Sequence, residues 1–255
     1  MKACIITIGN EILKGRTVNT NAAHIGKFLT SRGYEVERGI TVKDNLDEIK
    51  WAIDESFGKY DIIVTSGGLG PTFDDMTVEG VSRALGLELV EDRETLEILS
   101  KRYKELSAEL TPERLKLAYI PAGSHAIRNP VGAAPGIWIS GGKSSILVLP
   151  GVPREMEAIL DQADSLINKN DRFYYEATER LAGVMESAMA PIVNRIMEEH
   201  AGEVYVKTHP LKSETRNPEI DVEVSAYADS AEMAEQAVRD TIREILAEAR
   251  RMGKK

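Results

Sequence analysis

Residues 65–77, Thr65-Ser66-Gly67-Gly68-Leu69-Gly70-Pro71-Thr72-Phe73-Asp74-Asp75-Met76-Thr77, place three glycines, several hydroxyls and two adjacent carboxylates in one short connection. The apolar run Tyr60 to Val64 before it reads as a buried strand, and Val78 to Leu85 after it has helical spacing. A glycine-rich turn between strand and helix lets backbone N–H groups face an anion, and the helix dipole adds positive potential. The two carboxylates alone would repel a phosphate. A divalent cation between acids and phosphate reconciles the two features. The competing reading is a plain strand-to-helix connection in which Asp74 caps the helix.

Other reactive groups are sparse. Ser66 has no Gly-x-Ser-x-Gly elbow around it, so a hydrolase triad is not expected. His24, His125, His200 and His209 are scattered without metal-ligand spacing. Cys4 is the single cysteine and lies inside the first strand pattern, which excludes a disulfide framework or thiolate metal site. Lys14, Arg16 and Arg154 fall near loops, where phosphate contact and surface solvation are equally open. The net charge of −9, from 32 basic and 41 acidic residues, counts against nucleic acid or an anionic membrane as main partner. No signal segment or membrane span is visible, and the expected location is cytoplasmic.

The elements that must position this chemistry alternate strand and helix over residues 1–170. Strands are expected at Ala3 to Ile8, Tyr34 to Val42 and Asp61 to Thr65, with helices at Asn21 to Ser31 and Leu46 to Ser56. Such units imply an α/β domain, a mainly parallel sheet with helices on both faces, whose ligands sit beyond the C-terminal strand ends. The loops at Gly9-Asn10-Glu11, Val42-Lys43-Asp44 and Gly67 would then share one edge. Residues 91–119 read as a helical excursion over the site. Ile137 to Ile139 and Ser145 to Leu149 read as a hairpin, followed by the turn Pro150 to Met156 and a helix to about Ile167. Polar Asn168 to Asp171 marks a boundary, and residues 171–255 read as a small α+β domain. Pro191 there predicts a helix starting near Ala190, with Glu186 and Ser187 left in the preceding turn.

Five ordered motifs carry a resemblance. They are Gly9-Asn10-Glu11-Ile12-Leu13 with Gly15 and Asn19-Thr20-Asn21; Val42 to Asn45; Ser66 to Thr77; Asn129 with Gly132, Ala134, Pro135 and Gly136; and Leu149 to Pro153 with Glu155-Met156. On these, residues 1 to about 165 resemble the molybdopterin-binding (MoaB/MogA-like) fold, most closely the N-terminal domain of CinA proteins. The segment around Glu186-Ser187-Ala188 resembles their KH-like domain, although no Gly-x-x-Gly loop of the RNA-clamping kind is present. A dimerisation or spacer role is expected for it. Asn10 stands where the family often has Asp. The amidase domain of longer CinA proteins has no counterpart, so nicotinamide mononucleotide deamidation is not expected.

The resemblance implies metal-dependent hydrolysis of a nucleotide diphosphate linkage, ADP-ribose to AMP and ribose 5-phosphate. On that basis Gly67, Gly68 and Gly70 hold phosphate and Thr72 adds a hydroxyl. Asp74 and Asp75, with Glu11 and Asp44, hold Mg²⁺, Mn²⁺ or Co²⁺, and Asp75 is the more important of the pair. Asn10, Asn21, Asn129, Gly132, Gly136, Pro150, Gly151 and Glu155 complete the substrate site. Alternatives are molybdopterin binding with adenylyl transfer, or a non-catalytic nucleotide-binding module. Assembly as a dimer is the expectation.

Overall fold

A computed structural model describes residues 1–167, 171–200, 202–211 and 218–252. The chain divides into two compact units, Met1–Thr30 with Tyr34–Asn168, and Ser31–Gly33 with Lys169–Lys255. Residues 168–170 of the expected boundary lie outside the described residues.

The first unit contains, in order, β1 (Lys2–Ile8), α1 (Asn10–Leu13), α2 (Thr20–Thr30), β2 (Glu35–Val42), α3 (Leu46–Ser56), β3 (Ile62–Ser66) and α4 (Thr77–Leu85). Then follow β4 (Leu89–Glu91), α5 (Arg93–Glu105), α6 (Pro112–Leu115), a 3₁₀ turn (Lys116–Ala118), β5 (Tyr119–Pro121), β6 (His125–Ile127), β7 (Gly136–Ser140), β8 (Ser145–Leu149) and α7 (Pro153–Ala163). The main sheet has the order β2-β1-β3-β8-β7-β6. Its first four strands are mutually parallel, whereas β7 and β6 are antiparallel additions.

The unbroken apolar runs have a simple cause. In β1, Cys4, Ile6 and Ile8 pack with α3 and α4, while Ala3 and Ile5 pack with α2 and α7. Strands β3 and β8 divide in the same way: Ile63, Ile146 and Val148 face one layer, and Ile62, Val64, Leu147 and Leu149 the other. A parallel sheet covered on both faces needs apolar residues at every position rather than at alternate ones. Register brings the strand ends level, with Ile8 opposite Val42, Thr7 opposite Ser66 and Ser66 opposite Leu149. The loops after β1, β2, β3 and β8 therefore share one edge, as the alternation implied.

Two local features differ from expectation. Residues 93–105 and 112–118 are helical as expected, but β4 and β5 pair antiparallel and bracket them. Strands of three residues carry little local signal, and their partners lie some thirty positions apart. Helix α7 also stops at Ala163, short of the expected Ile167.

The second unit holds β9 (Phe173–Ala182), α8 (Glu186–Glu199), β10 (Val204–Pro210), β11 (Glu219–Ala228) and α9 (Ala231–Met252). Its antiparallel sheet has the order β10-β11-β9. Helix α8 begins at Glu186, not near Ala190, and Pro191 lies inside it. The first turn is closed by the Met189 N–H donating to Met185 O at 3.2 Å. Burial of Met189 and Ile196 in the core of this unit stabilises the helix on both sides of the proline. Here packing outweighs the local preference. Among the described residues no helix is long and apolar enough to cross a membrane.

Candidate functional site

Strand β3 ends at Ser66, and the chain turns at once through Gly67 and Gly68, with φ of 112° and 65°. A Cβ added at Gly67 would lie 2.0 Å from Ile8 O, and one at Gly68 would lie 2.4 Å from Thr77 Oγ1. Thr77 ties the turn to α4: its hydroxyl donates to Gly67 O at 2.7 Å and its N–H to Gly68 O at 3.1 Å. The Gly67 N–H donates to Leu149 O at 3.1 Å. Among the described residues, the N–H groups of Gly68, Leu69 and Gly70 meet no acceptor. Three successive unpaired amides favour an anion.

The acid pair sits on the next turn. Asp75 N–H donates to Thr72 O at 3.2 Å, and Asp75 Oδ2 accepts the Thr72 N–H at 2.9 Å. Thr72 Oγ1 lies 2.6 Å from Asp75 Oδ2 and 2.5 Å from Asp74 Oδ1. One hydroxyl proton thus serves two carboxylates in alternation. The Asp75 carboxylate is pressed against Gly70, where a Cβ would lie 2.5 Å from Oδ2. Gly70 is there for space, not for an unusual φ. Helix α4 starts at Thr77 with Met76 in the cap position, so Asp74 does not cap it. The plain-connection reading fails on that point.

The Thr72 hydroxyl, followed by its own backbone N–H, holds the Asp74 carboxyl below its ordinary value of 3.8; partial desolvation opposes this and Lys116 adds to it. A carboxyl whose folded value is depressed contributes stability above its unfolded value and loses it as pH falls through the folded one. The gap in urea midpoint between wild type and Asp74→Asn should therefore be full at about pH 5 and close below 3.8. A gap that widens on acidification would contradict this geometry.

A cavity of about 420 Å³ opens beside the two turns. It brings together Gly67, Gly68, Gly70, Thr72, Asp74 and Asp75 with Glu11 and Asp44 from the β1 and β2 loops and Pro150, Gly151 and Glu155 from the β8 loop. Among the described residues five carboxylates line it and no lysine or arginine does; Lys14, Arg16 and Arg154 stay outside. Among the described residues no three of His, Cys, Asp and Glu converge as a metal-holding group, so the four expected ligands ring the cavity instead of forming a cage. The all-oxygen donor set suits a hard cation held by one or two carboxylates, with water and ligand phosphate completing its shell.

The remaining expected residues stand behind this surface. Asp44 Oδ2 accepts the Asn10 N–H at 2.8 Å, and Asn10 is not in the cavity lining. Asn21 lines a smaller neighbouring cavity of about 90 Å³; its Nδ2 donates to Ser66 Oγ and Gly151 O, both at 2.9 Å. Its Oδ1 is buried and unpaired among the described residues, an acceptor left over for a ligand or water. Gly136 is buried at the start of β7, where a Cβ would meet Ile159 Cγ2 at 2.3 Å. It packs the sheet against α7 and does not line the cavity.

Asn129 organises its whole loop. Its Nδ2 donates to Ala134 O at 2.8 Å and to Glu155 Oε2 at 2.7 Å, and its Oδ1 accepts the N–H groups of Val131 and Gly132 at 3.0 and 2.7 Å. A Cβ at Gly132 would lie 2.0 Å from Glu155 Oε2, so the loop closes directly over that carboxylate. Asn129→Ala removes four hydrogen bonds at a buried position and should cost about 2–4 kcal/mol in urea unfolding. A loss under about 0.5 kcal/mol would be that of an ordinary surface residue and would remove this role.

Two cations that the motifs did not single out hold the site from the excursion. Arg102 of α5 donates to Gly132 O at 2.5 Å and Val131 O at 3.1 Å. Lys116 donates to Thr72 O at 2.5 Å and Asp75 O at 3.2 Å. In sequence both look like members of a solvated charge run, and no local signal separates them from their neighbours.

Residues 4–166 match the model of a family described as the probable molybdopterin binding domain. The chain belongs to the molybdopterin-binding domain family. Relatives of similar length share it. A protein of Caldivirga maquilingensis is 50% identical over 250 residues, 98% of this chain and 97% of its own. One of Thermoplasma acidophilum is 50% identical over 247 residues, 97% and 94% of the two chains. A crystal structure described as the protein CinA with unknown function, from Thermoplasma acidophilum, is 53% identical with a TM-score of 0.62. It covers 65% of this chain and 98% of its own. The molybdopterin-binding match spans the glycine turn, the acid pair and the Asn129 and Pro150 loops, and so includes every wall of the large cavity.

Proposed function

We propose that the first unit binds a phosphorylated pterin of the molybdopterin type together with a divalent cation, as the binding step of adenylyl transfer to that ligand. The observation that carries this reading is the pairing of three unpaired amides with five carboxylates and, among the described residues, no lining lysine or arginine. A phosphate has donors to meet at Gly68 to Gly70, yet five carboxylates repel it unless positive charge enters with it. Asp74 and Asp75 would hold Mg²⁺, Mn²⁺ or Co²⁺, which would supply charge neutralisation at the phosphate. The chain's own work is orientation. Thr72 fixes both carboxylates, Lys116 fixes their turn, and Asn129 holds Glu155 against the ligand's far end.

The resemblance to CinA N-terminal domains implied hydrolysis of a nucleotide diphosphate such as ADP-ribose first; the family match supports the pterin ligand instead, so that order is reversed. Hydrolysis stays as a second reading on the resemblance of the motifs to CinA N-terminal domains alone. In that reaction water would add across the P–O–P bond of ADP-ribose and yield AMP and ribose 5-phosphate.

One experiment separates them. Purified protein with each metal in turn receives either molybdopterin and ATP, with pyrophosphate followed, or ADP-ribose, with AMP followed. Pterin-dependent pyrophosphate release supports the first reading, and metal-dependent AMP formation the second. Phosphate-ligand binding that is indifferent to chelator would remove the cation from both.

A further inference from the structure

The polar cavity has a second chamber behind the same wall. It measures about 260 Å³ and shares Gly68, Leu69, Gly70, Asp75, Leu117 and Ala134 with its neighbour. Its lining is otherwise largely apolar, with Phe73, Met76, Val78, Tyr119 and Ile137 contributing. Phe73 is the odd member. It lies at the tip of the Thr72–Asp75 turn with 88% of its surface exposed, beside Tyr119 at 41% and Leu89 at 38%. Folding does not call for a phenyl ring there: the turn is closed by Thr72, Asp75 and Lys116, none of which needs the Phe73 side chain.

We infer that this chamber receives the planar heterocyclic ring of the ligand, with Phe73 stacking on its outer face. The inference rests on the reading of the polar cavity as the phosphate and metal end, because the two chambers share that wall. A ligand with a charged end and a flat ring fits an acidic, amide-bearing cavity that adjoins a largely apolar one. Together the two chambers reach the size of ordinary small-molecule sites, about 300–1,000 Å³. The ring can be the purine of a nucleotide or the bicycle of a pterin, since both offer a π-face of similar area to a phenyl group. Lys116 ties down the backbone of the turn that carries both Phe73 and the acid pair, so a ring stacked on Phe73 would lie close to a phosphate held there.

The test is calorimetric titration with Mg²⁺ and three probes: AMP, a 6-substituted pterin monophosphate, and ribose 5-phosphate, which has the phosphate end without an aromatic ring (ring here meaning the planar heterocycle). Wild type should bind at least one ring-bearing probe more tightly than ribose 5-phosphate, and which one it prefers distinguishes purine from pterin. Phe73→Ala should weaken that probe about tenfold and ribose 5-phosphate less than about twofold, and Phe73→Trp should restore the difference. Equal loss for ringed and ringless probes, or no loss at all, would overturn the stacking role. So would a change in sedimentation mass in Phe73→Ala with ring affinity intact, because the chamber would then be a contact between copies. If ribose 5-phosphate binds but the ring adds nothing, this inference alone fails. If no phosphate probe binds, the reading of the polar cavity fails and takes the inference with it.

Discussion

Gly67→Ala is expected to cost about 4 kcal/mol and to leave little folded first unit at 37 °C. Two independent penalties act at this position. The φ of 112° is a conformation that side chains other than glycine's rarely adopt. The added methyl would also meet Ile8 O at 2.0 Å, a backbone atom of β1 that cannot rotate aside. Relief requires moving β1 away from β3, which strains the pairing of Thr7 with Ser66 at the centre of the sheet. Gly151→Ala is the control: its nearest neighbour would be Gly67 Cα at 3.4 Å, an ordinary contact. Urea unfolding followed by the first unit's tryptophans, Trp51 and Trp138, reads both variants. A Gly67→Ala protein within about 1 kcal/mol of wild type would show that this turn is not under the constraint described.

Asp75→Asn is expected to lower metal-dependent ligand affinity or turnover about a hundredfold while the fold is kept. The amide retains an oxygen for the Thr72 N–H and keeps the side-chain shape against Gly70, so the turn survives and only the charge is lost. Asp75→Ala should be as inactive and less stable, because it also removes the Oδ2 that accepts from both the Thr72 N–H and the Thr72 hydroxyl. Asp74→Asn should cost less, as Asp74 accepts the Thr72 hydroxyl and its own N–H, whereas Asp75 also holds the Thr72 N–H that closes the turn. Titration of Mn²⁺ or Mg²⁺ in the presence of AMP measures this, with circular dichroism confirming the fold. Unchanged affinity in Asp75→Asn, with the fold intact, would remove the acid pair from the site and leave the amides as its sole anchor.

The outcome at the two turns shows what kind of information a motif holds. Gly67, Gly68, Thr72, Asp74 and Asp75 are neighbours in sequence, and the bonds they make among themselves and to Thr77 run over at most ten residues. A local pattern can state such a site almost completely. Asn129 is absent from the cavity lining; its loop contacts reach no farther than Ala134, while its bond to Glu155 is remote. Gly136 misled because glycine in a loop motif and glycine beneath a helix look alike in sequence. Only the contact with Ile159 tells them apart.

The amino-acid sequence by itself determined the α/β class of the first unit, the runs that become β1, β3 and β8, and the glycine turn with its acid pair. Each depends on residue type at short range: apolar continuity for strands covered on both faces, and glycine where a Cβ has no room. Tertiary structure alone decided the β4–β5 ribbon, the start of α8 ahead of Pro191, the staples from Arg102 and Lys116, and the apolar chamber under Phe73. Those depend on partners such as Lys116 and Thr72, 44 positions apart. Periodicity spans a few helical turns, so it carries no record of which distant loop a charged side chain will meet once the strands have aligned their ends.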